Sequence, residues 1–392
     1  MNKFKNIAIF EGLNALRFFA AFLVVMHHSE TIRNKNGLYN LEWLGAFRNG
    51  VNAVTFFFVL SGFLITYILL KENFNTGTIS IKKFYIKRTL RIWPLYFLLV
   101  IIGTIILPQL LSLLKVNYEM PYTFSEVWYY FLFFFPGLVT YYFGSHFLEP
   151  LWSIGVEEVF YLMWAPLFRF CKKYILAILL SIIVLKIILI VIANYFIKDG
   201  LFNYMVNIFS FEAMAVGGLG AYLVFNRQRP FSNSFIYQKP IQIAIYLVLA
   251  CFLIFHTNID NVIWNSIFKL PVISKFVIDF MFLYLIIGVS IVDNSVIKLK
   301  NKALSFLGEI SYGIYMYHML IIFAIMQFMK KYIMNLDPVL GTAVFYMVLT
   351  SSVILVSYIS KIVFENYFLN LKYKIGKGDK FPQIEKAKMV EL

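Results

Sequence analysis

The chemistry of this chain starts with two ionisable residues inside one apolar stretch. Arg17 and His28 stand eleven positions apart in a run that is otherwise almost wholly hydrophobic. At about 100° per residue that separation falls within about 20° of three whole helical turns. On a helix both side chains therefore project to one side, about 16 Å apart along the axis. A guanidinium is a permanent anion holder, and an imidazole is a base or nucleophile near neutral pH. Asn14 and Ala21 share that face, and the small Ala21 would leave room beside the helix for something slender. A snorkelling arginine and a merely interfacial histidine would show the same spacing, so the pair alone leaves both readings open. His27 points about 100° away and reads as a bystander.

Other polar residues recur where lipid should be, and each is a functional candidate for that reason. Ser61 and Gly62 follow the bulky run Phe56-Phe57-Phe58-Val59-Leu60, where close helix packing competes with substrate contact. Arg88 and Arg91 lie i, i+3 on one helix face, a spacing suited to clamping phosphates, although much of the surrounding basic charge also marks orientation. Trp152, Ser153, Glu157, Glu158 and Tyr161 open a later helix, with Ser153, Glu157 and Tyr161 on one face. Glu157 there could orient an imidazole base or serve as a structural partner to another buried polar group. Glu212 heads a stripe of small residues that packing explains and that leaves the carboxylate itself unexplained. Tyr312, Tyr315 and His318 share one side of a late helix, as cavity lining or as interhelical hydrogen-bonding groups.

What must position these residues is a membrane-embedded bundle. Of 392 residues 61% are hydrophobic and 14% charged, against about half and a quarter in a soluble domain. Apolar runs near the ~20 residues of a bilayer span occur at 8–29, 51–70, 92–112, 126–143, 151–168, 174–197, 204–225, 240–256, 274–292, 306–329 and 340–364. The segment 126–143 is the exception, opening at Glu126, holding Pro136 and Gly137, and ending in Tyr141, Tyr142 and Gly144. If it lies in the outer interface or re-enters, ten spans remain, with 24 Lys and Arg inside against 9 outside. If it spans, Arg169, Lys172, Lys173, Lys298, Lys300 and Lys302 all fall outside. The first choice fits the positive-inside rule and puts the flanks near Glu119 and Ser145 on one side, the outer.

The expectation is therefore an all-α polytopic bundle of about ten spans plus one interfacial or re-entrant segment. It covers residues 1–366, with a short basic tail at 367–392 and both termini on the cytoplasmic side of the inner membrane. The net charge of +15 is read as an orientation signal rather than as affinity for nucleic acid. The first span carries Arg17, and no small-residue cleavage site follows it, which speaks against a cleavable signal peptide. Five scattered histidines offer no metal-ligand cluster, and Cys171 and Cys251 are not placed to pair.

Taken together, the pieces resemble the integral-membrane acyltransferase 3 family. The resemblance rests on Arg17 with His28, Phe57-Phe58-Val59-Leu60-Ser61-Gly62-Phe63-Leu64, and Arg88-Thr89-Leu90-Arg91-Ile92-Trp93-Pro94. It continues with Leu151-Trp152-Ser153 through Glu157-Glu158 and Phe160-Tyr161, then Ser311-Tyr312-Gly313-Ile314-Tyr315 with His318, in the family's order over residues 13–320. It implies a ten-helix bundle that takes an acetyl or other short acyl group from cytoplasmic acyl-CoA and passes it to a hydroxyl, usually on a sugar, at the outer face. Polysaccharide or other cell-envelope modification follows as the setting.

In such enzymes the motif histidine, here His28, is catalytic and the paired arginines, here Arg88 and Arg91, lie on the donor side. Arg17 would guide the donor, a slim pantetheine arm would rise past Ala21, and Glu157 or Glu158 would carry an acidic role near His28. Ser61, Trp152, Ser153, Glu212, Tyr312, Tyr315 and His318 would line the cavity. Thr55 stands where members often have Asp, and Val159 where Gln is common. The expected partners are acyl-CoA as co-substrate, a carbohydrate or lipid-linked sugar acceptor and the bilayer, with no permanently bound cofactor and no metal. No additional outer hydrolase-like domain is expected. The rival class is a transporter or flippase of a glycan or small metabolite, against which no two-fold internal symmetry is found.

Overall fold

A computed structural model describes residues 3–376 apart from 117, 119, 198, 228 and 256–270. Helices α1 to α6 are Leu13–Lys35, Gly50–Thr76, Ile81–Ile101, Phe124–Leu132, Pro136–Phe143 and Trp152–Phe170. Helices α7 to α12 are Ile175–Tyr195, Phe211–Asn226, Lys239–Phe255, Pro271–Ser290, Ser311–Met334 and Pro338–Ser360. No strand occurs among the described residues. Among the described residues, seven helical runs are long and apolar enough to cross a membrane: Gly50–Thr76, Ile81–Leu113, Lys172–Tyr195, Gly200–Asn226, Ile273–Ser290, Ser311–Met334 and Pro338–Leu371. The other three expected spans are helical too. α9 is apolar but shorter, while α1 and α6 carry the charged residues, Arg17, Glu30 and Arg33 on one and Glu157 and Glu158 on the other.

Several boundaries move from the sequence reading. α1 starts at Leu13 rather than residue 8, because Gly12 stands in the left-handed region at φ 81° and a side chain there would press on Val289. The span expected at 204–225 breaks at Phe209-Ser210, and the one expected at 306–329 starts at Ser311 after a separate helix, Lys302–Glu309. Of the basic tail, residues 367–376 are helical and 377–392 lie outside the described residues.

Small residues set the tightest approach in the bundle. A Cβ on Gly62 of α2 would overlap the Met214 carbonyl, and one on Gly217 of α8 would overlap the Val59 carbonyl. The backbones of α2 and α8 therefore touch, as small residues allow in a membrane where no hydrophobic drive separates helix from lipid. This contact fixes the depth of Ser61.

The segment 126–143 does not cross in one pass. Pro136 and a turn at Phe133–Phe135 divide it into α4 and α5, nine and eight residues long and each too short for the hydrocarbon core. Its two ends meet: Tyr122 lies against Phe143 with ring centroids 6.0 Å apart, and its hydroxyl is 3.3 Å from His146 Nδ1. Phe134 at the tip holds a φ of 61° and stacks on Tyr96 at 4.7 Å, while the Tyr96 hydroxyl donates to the Phe131 carbonyl at 3.0 Å. The hairpin tip thus reaches α3 and α6, where Gly155 admits the Phe134 carbonyl.

Two expectations follow from the hairpin. Glu119, one of its expected outer flanks, lies outside the described residues, and Ser145, the other, donates to Glu149 at 2.6 Å. In a chain with Cys171 and Cys251 replaced by alanine, Glu119→Cys and Ser145→Cys should both label with an impermeant thiol reagent on intact cells. Protection at 145 with labelling at 119 would reverse every later loop.

The second expectation concerns His146, 3% exposed in the loop after α5 and pushed down to about 4 by burial. A solvated imidazole protonates near 6.5, so between those values the unfolded loop binds the extra proton. Stability is full above about pH 6.5 and is lost as pH falls toward 4, by on the order of 3 kcal/mol for the hairpin. Proteolysis of the 122–146 segment should accelerate at pH 5 over pH 7, and His146→Gln should flatten that dependence.

Candidate active site

The polar residues of α1, α2, α3 and α6 converge in the half of the bundle where α3 begins. Ser61 donates to Glu157 Oε1 at 2.9 Å, and the Tyr161 hydroxyl donates to Glu157 Oε2 at 2.7 Å. Tyr161 and Ser61 also bond each other at 3.1 Å, which closes a three-membered network. Arg88 lies over the rings of Tyr161 and Phe84, at 5.6 and 5.9 Å from their centroids. Arg17, whose Nη1 donates to Asn14 at 2.9 Å, lies in the electrostatic field of Arg91, Arg88 and Glu157. Three guanidinium groups thus face the carboxylates of Glu157 and Glu158, and the excess of positive charge fits an anion. The Glu158 carboxylate accepts from Trp93 Nε1 at 2.9 Å. A cleft of about 270 Å³ opens beside it, lined by Arg88, Thr89, Trp93, Phe134, Glu158 and Tyr161.

A second polar group occupies the opposite half, where α1 ends. The His28 ring lies between those of His27 and His318, each at a centroid distance of 5.2 Å. Tyr315, one turn before His318, shares a 2.8 Å hydrogen bond with Ser153 and donates to the Pro150 carbonyl at 2.8 Å. Trp152 packs against Phe58, and the Tyr312 hydroxyl reaches back to the Ile92 carbonyl at 3.0 Å. Along α1 the two groups are about 16 Å apart.

Three expectations are corrected here. Glu157 and Glu158 do not orient His28; they belong to the arginine-rich group, because Glu157 sits more than one turn into α6 and its carboxylate meets Ser61 and Tyr161 rather than His28. Glu212 lines no shared cavity. It pairs with Lys186 at 3.2 Å and Lys275 at 3.3 Å in a separate buried cluster, where Lys186 also donates to the carbonyls of Val206 and Phe209 at the break before α8. Ala21 is 0% exposed, so protein fills the passage imagined beside it, and the open space lies between α3 and α6 instead. His27 has a packing role, since its ring fills the space a side chain on Gly50 would need. Thr55 bonds its own helix at the Val51 carbonyl, and no acid replaces it there.

Sequence reasoning also passed over Glu30 and Arg33, an i, i+3 pair just beyond His28. Both are buried, bonded at 2.7 Å, and tied to Thr342 and Tyr346 of α12. Their spacing in an apolar helix was the available signal. They anchor the end of α1 that carries His28.

An acyltransferase domain, that of the acyltransferase 3 family, matches residues 10–361. The chain belongs to the acyltransferase 3 family. It is 25% identical to the O-acetyltransferase OatA of Staphylococcus aureus over 338 residues, 82% of this chain and 51% of that protein. A putative O-acetyltransferase of the same species, strain COL, is 25% identical over 353 residues, 84% of this chain and 53% of that one. The chain thus spans about half the length of the curated relatives it matches. No solved structure matches. The residues on which the resemblance rests fall in the two polar groups above, Arg88 and Arg91 in one and His28 in the other.

Proposed function

We propose that this chain is a membrane O-acyltransferase that moves an acetyl or other short acyl group from cytoplasmic acyl-CoA to a hydroxyl of a sugar or glycan at the outer face. One observation carries the reading: an arginine-rich anion site and an imidazole site stand about 16 Å apart along α1, in opposite halves of one bundle. Arg88, Arg91 and Arg17 hold the donor's phosphates, with Arg88 stiffened by stacking on Tyr161. Glu157, held by Ser61 and Tyr161, keeps the three guanidiniums spaced. His28 takes the proton of the acceptor hydroxyl, or first takes the acyl group itself. By the direct route the hydroxyl oxygen attacks the thioester carbonyl, the C–S bond breaks as the ester C–O bond forms, and the proton held by His28 passes to the departing CoA sulfur. By the other, the C–S bond breaks as an acyl–imidazole C–N bond forms, and that C–N bond then breaks as the ester C–O bond forms.

The name O-acetyltransferase borne by the relatives supports an oxygen acceptor. The positive-inside count supports both termini, and the arginine group, on the cytoplasmic side. Membranes containing the protein, supplied with acetyl-CoA radiolabelled in the acetyl group, should transfer label to glycan or lipid. Label that stays in acetyl-CoA, with a glycan or metabolite crossing vesicles unmodified, would make the protein a transporter.

A further inference from the structure

The imidazole behind His28 has one nitrogen committed and the other unused. His318 Nδ1 is 2.5 Å from the Tyr315 carbonyl oxygen. A carbonyl only accepts, so Nδ1 carries the hydrogen, and in a neutral ring Nε2 is then a bare acceptor. That Nε2 is buried and meets no hydrogen-bond donor, although the whole residue is 0% exposed. An unmet acceptor in such a place costs stability, and the packing around it keeps it in place.

The neighbour on that side is the half-buried ring of His28, 5.2 Å away and tilted by 39°. Two imidazoles reach about this centroid separation when an N–H of one meets a ring nitrogen of the other near 3 Å. A rotation of His28 that turned its N–H onto that nitrogen would make the bond, and catalytic hydrogen bonds often tighten only when substrate binds. The carboxylate expected to orient His28 is engaged elsewhere, with Ser61 and Tyr161.

We infer that His318 is the positioning residue for His28: its Nε2 accepts the N–H of His28 when substrate is bound, so that the other His28 nitrogen presents its lone pair to the reacting group. The inference rests on the acyl-transfer reading above. It gives this site an imidazole in the place a carboxylate holds in a serine hydrolase triad. Tyr315 becomes part of the same device through its backbone, while its hydroxyl holds Ser153 and the start of α6. The arrangement supports the imidazolium that forms as the hydroxyl proton moves to His28. It equally fixes the nucleophilic nitrogen if His28 carries the acyl group.

The test uses the full chain in membranes, with acetyl-CoA as donor. His318→Asn keeps a donor for the Tyr315 carbonyl and removes the acceptor, whereas His318→Gln returns an amide oxygen near the position of Nε2. The expected result is a fall in kcat on the order of 10²-fold for His318→Asn, with normal accumulation and a KM for acetyl-CoA within about twofold. His318→Gln should recover at least about tenfold of that loss. The double variant with His28→Ala should be no slower than His28→Ala alone, because one residue acts through the other.

Near-normal turnover in His318→Asn overturns the inference. So does a His318→Gln no better than Asn, or a double variant whose losses add. Absence of acyl transfer by the wild-type chain is a different result, and it removes the transferase reading itself.

Discussion

His28→Ala should abolish acyl transfer, by a factor on the order of 10²–10⁴, while the protein still accumulates in the membrane. The size follows from chemistry, since the His28 imidazole supplies the base or nucleophile of the transfer step. The unchanged accumulation follows from packing. His28 is half-buried and its ring contacts are the two other imidazoles, so its loss opens little core. The end of α1 keeps its anchor through Glu30, Arg33 and Tyr346. His27→Ala should retain most activity and lose some stability, because that ring fills the contact with Gly50 at the crossing of α1 and α2. Transfer of label from acetyl-CoA, normalised to protein in the membrane, measures both. Reversed outcomes would make His27 the reactive ring and the assignment of the α1 face wrong.

Arg88→Ala and Arg91→Ala should each weaken binding of acyl-CoA by roughly 10–150-fold, the equivalent of about 1.5–3 kcal/mol for one lost charge-assisted contact. Arg88→Lys should recover only part of the loss, since an ammonium keeps the charge but not the guanidinium's forked donors. Calorimetry of CoA binding to the purified protein reads the effect directly. Unchanged CoA affinity with poor accumulation would leave both arginines as orientation charges.

The hairpin at 126–143 shows how far local reasoning reaches. Pro136, Gly137 and the aromatic end set the segment apart, and the charge count, 24 Lys and Arg inside against 9 outside if it does not span, leads to the expectation that it does not. The turn itself falls at Phe133–Phe135, where Phe134 adopts a φ of 61° that no phenylalanine favours by itself. Packing of that ring on Tyr96 and Trp93 decides it.

By itself the sequence determined the membrane class, the order and approximate limits of the apolar helices, and the shared face of Arg17 and His28. Each of these depends on hydrophobicity summed over a run or on a periodicity within one helix. Which helices meet, and at what depth, was decided by the tertiary structure. Glu157 was expected beside His28 and lies with Ser61 and Tyr161, Glu212 was expected in the cavity and lies between two lysines, and His318 proved to be the neighbour of His28. Helical spacing aims a side chain relative to its own axis. The rotation and depth of one helix against another come from contacts between distant segments, such as Gly62 on Met214 and Gly155 beneath Phe134, and these are invisible in either segment alone.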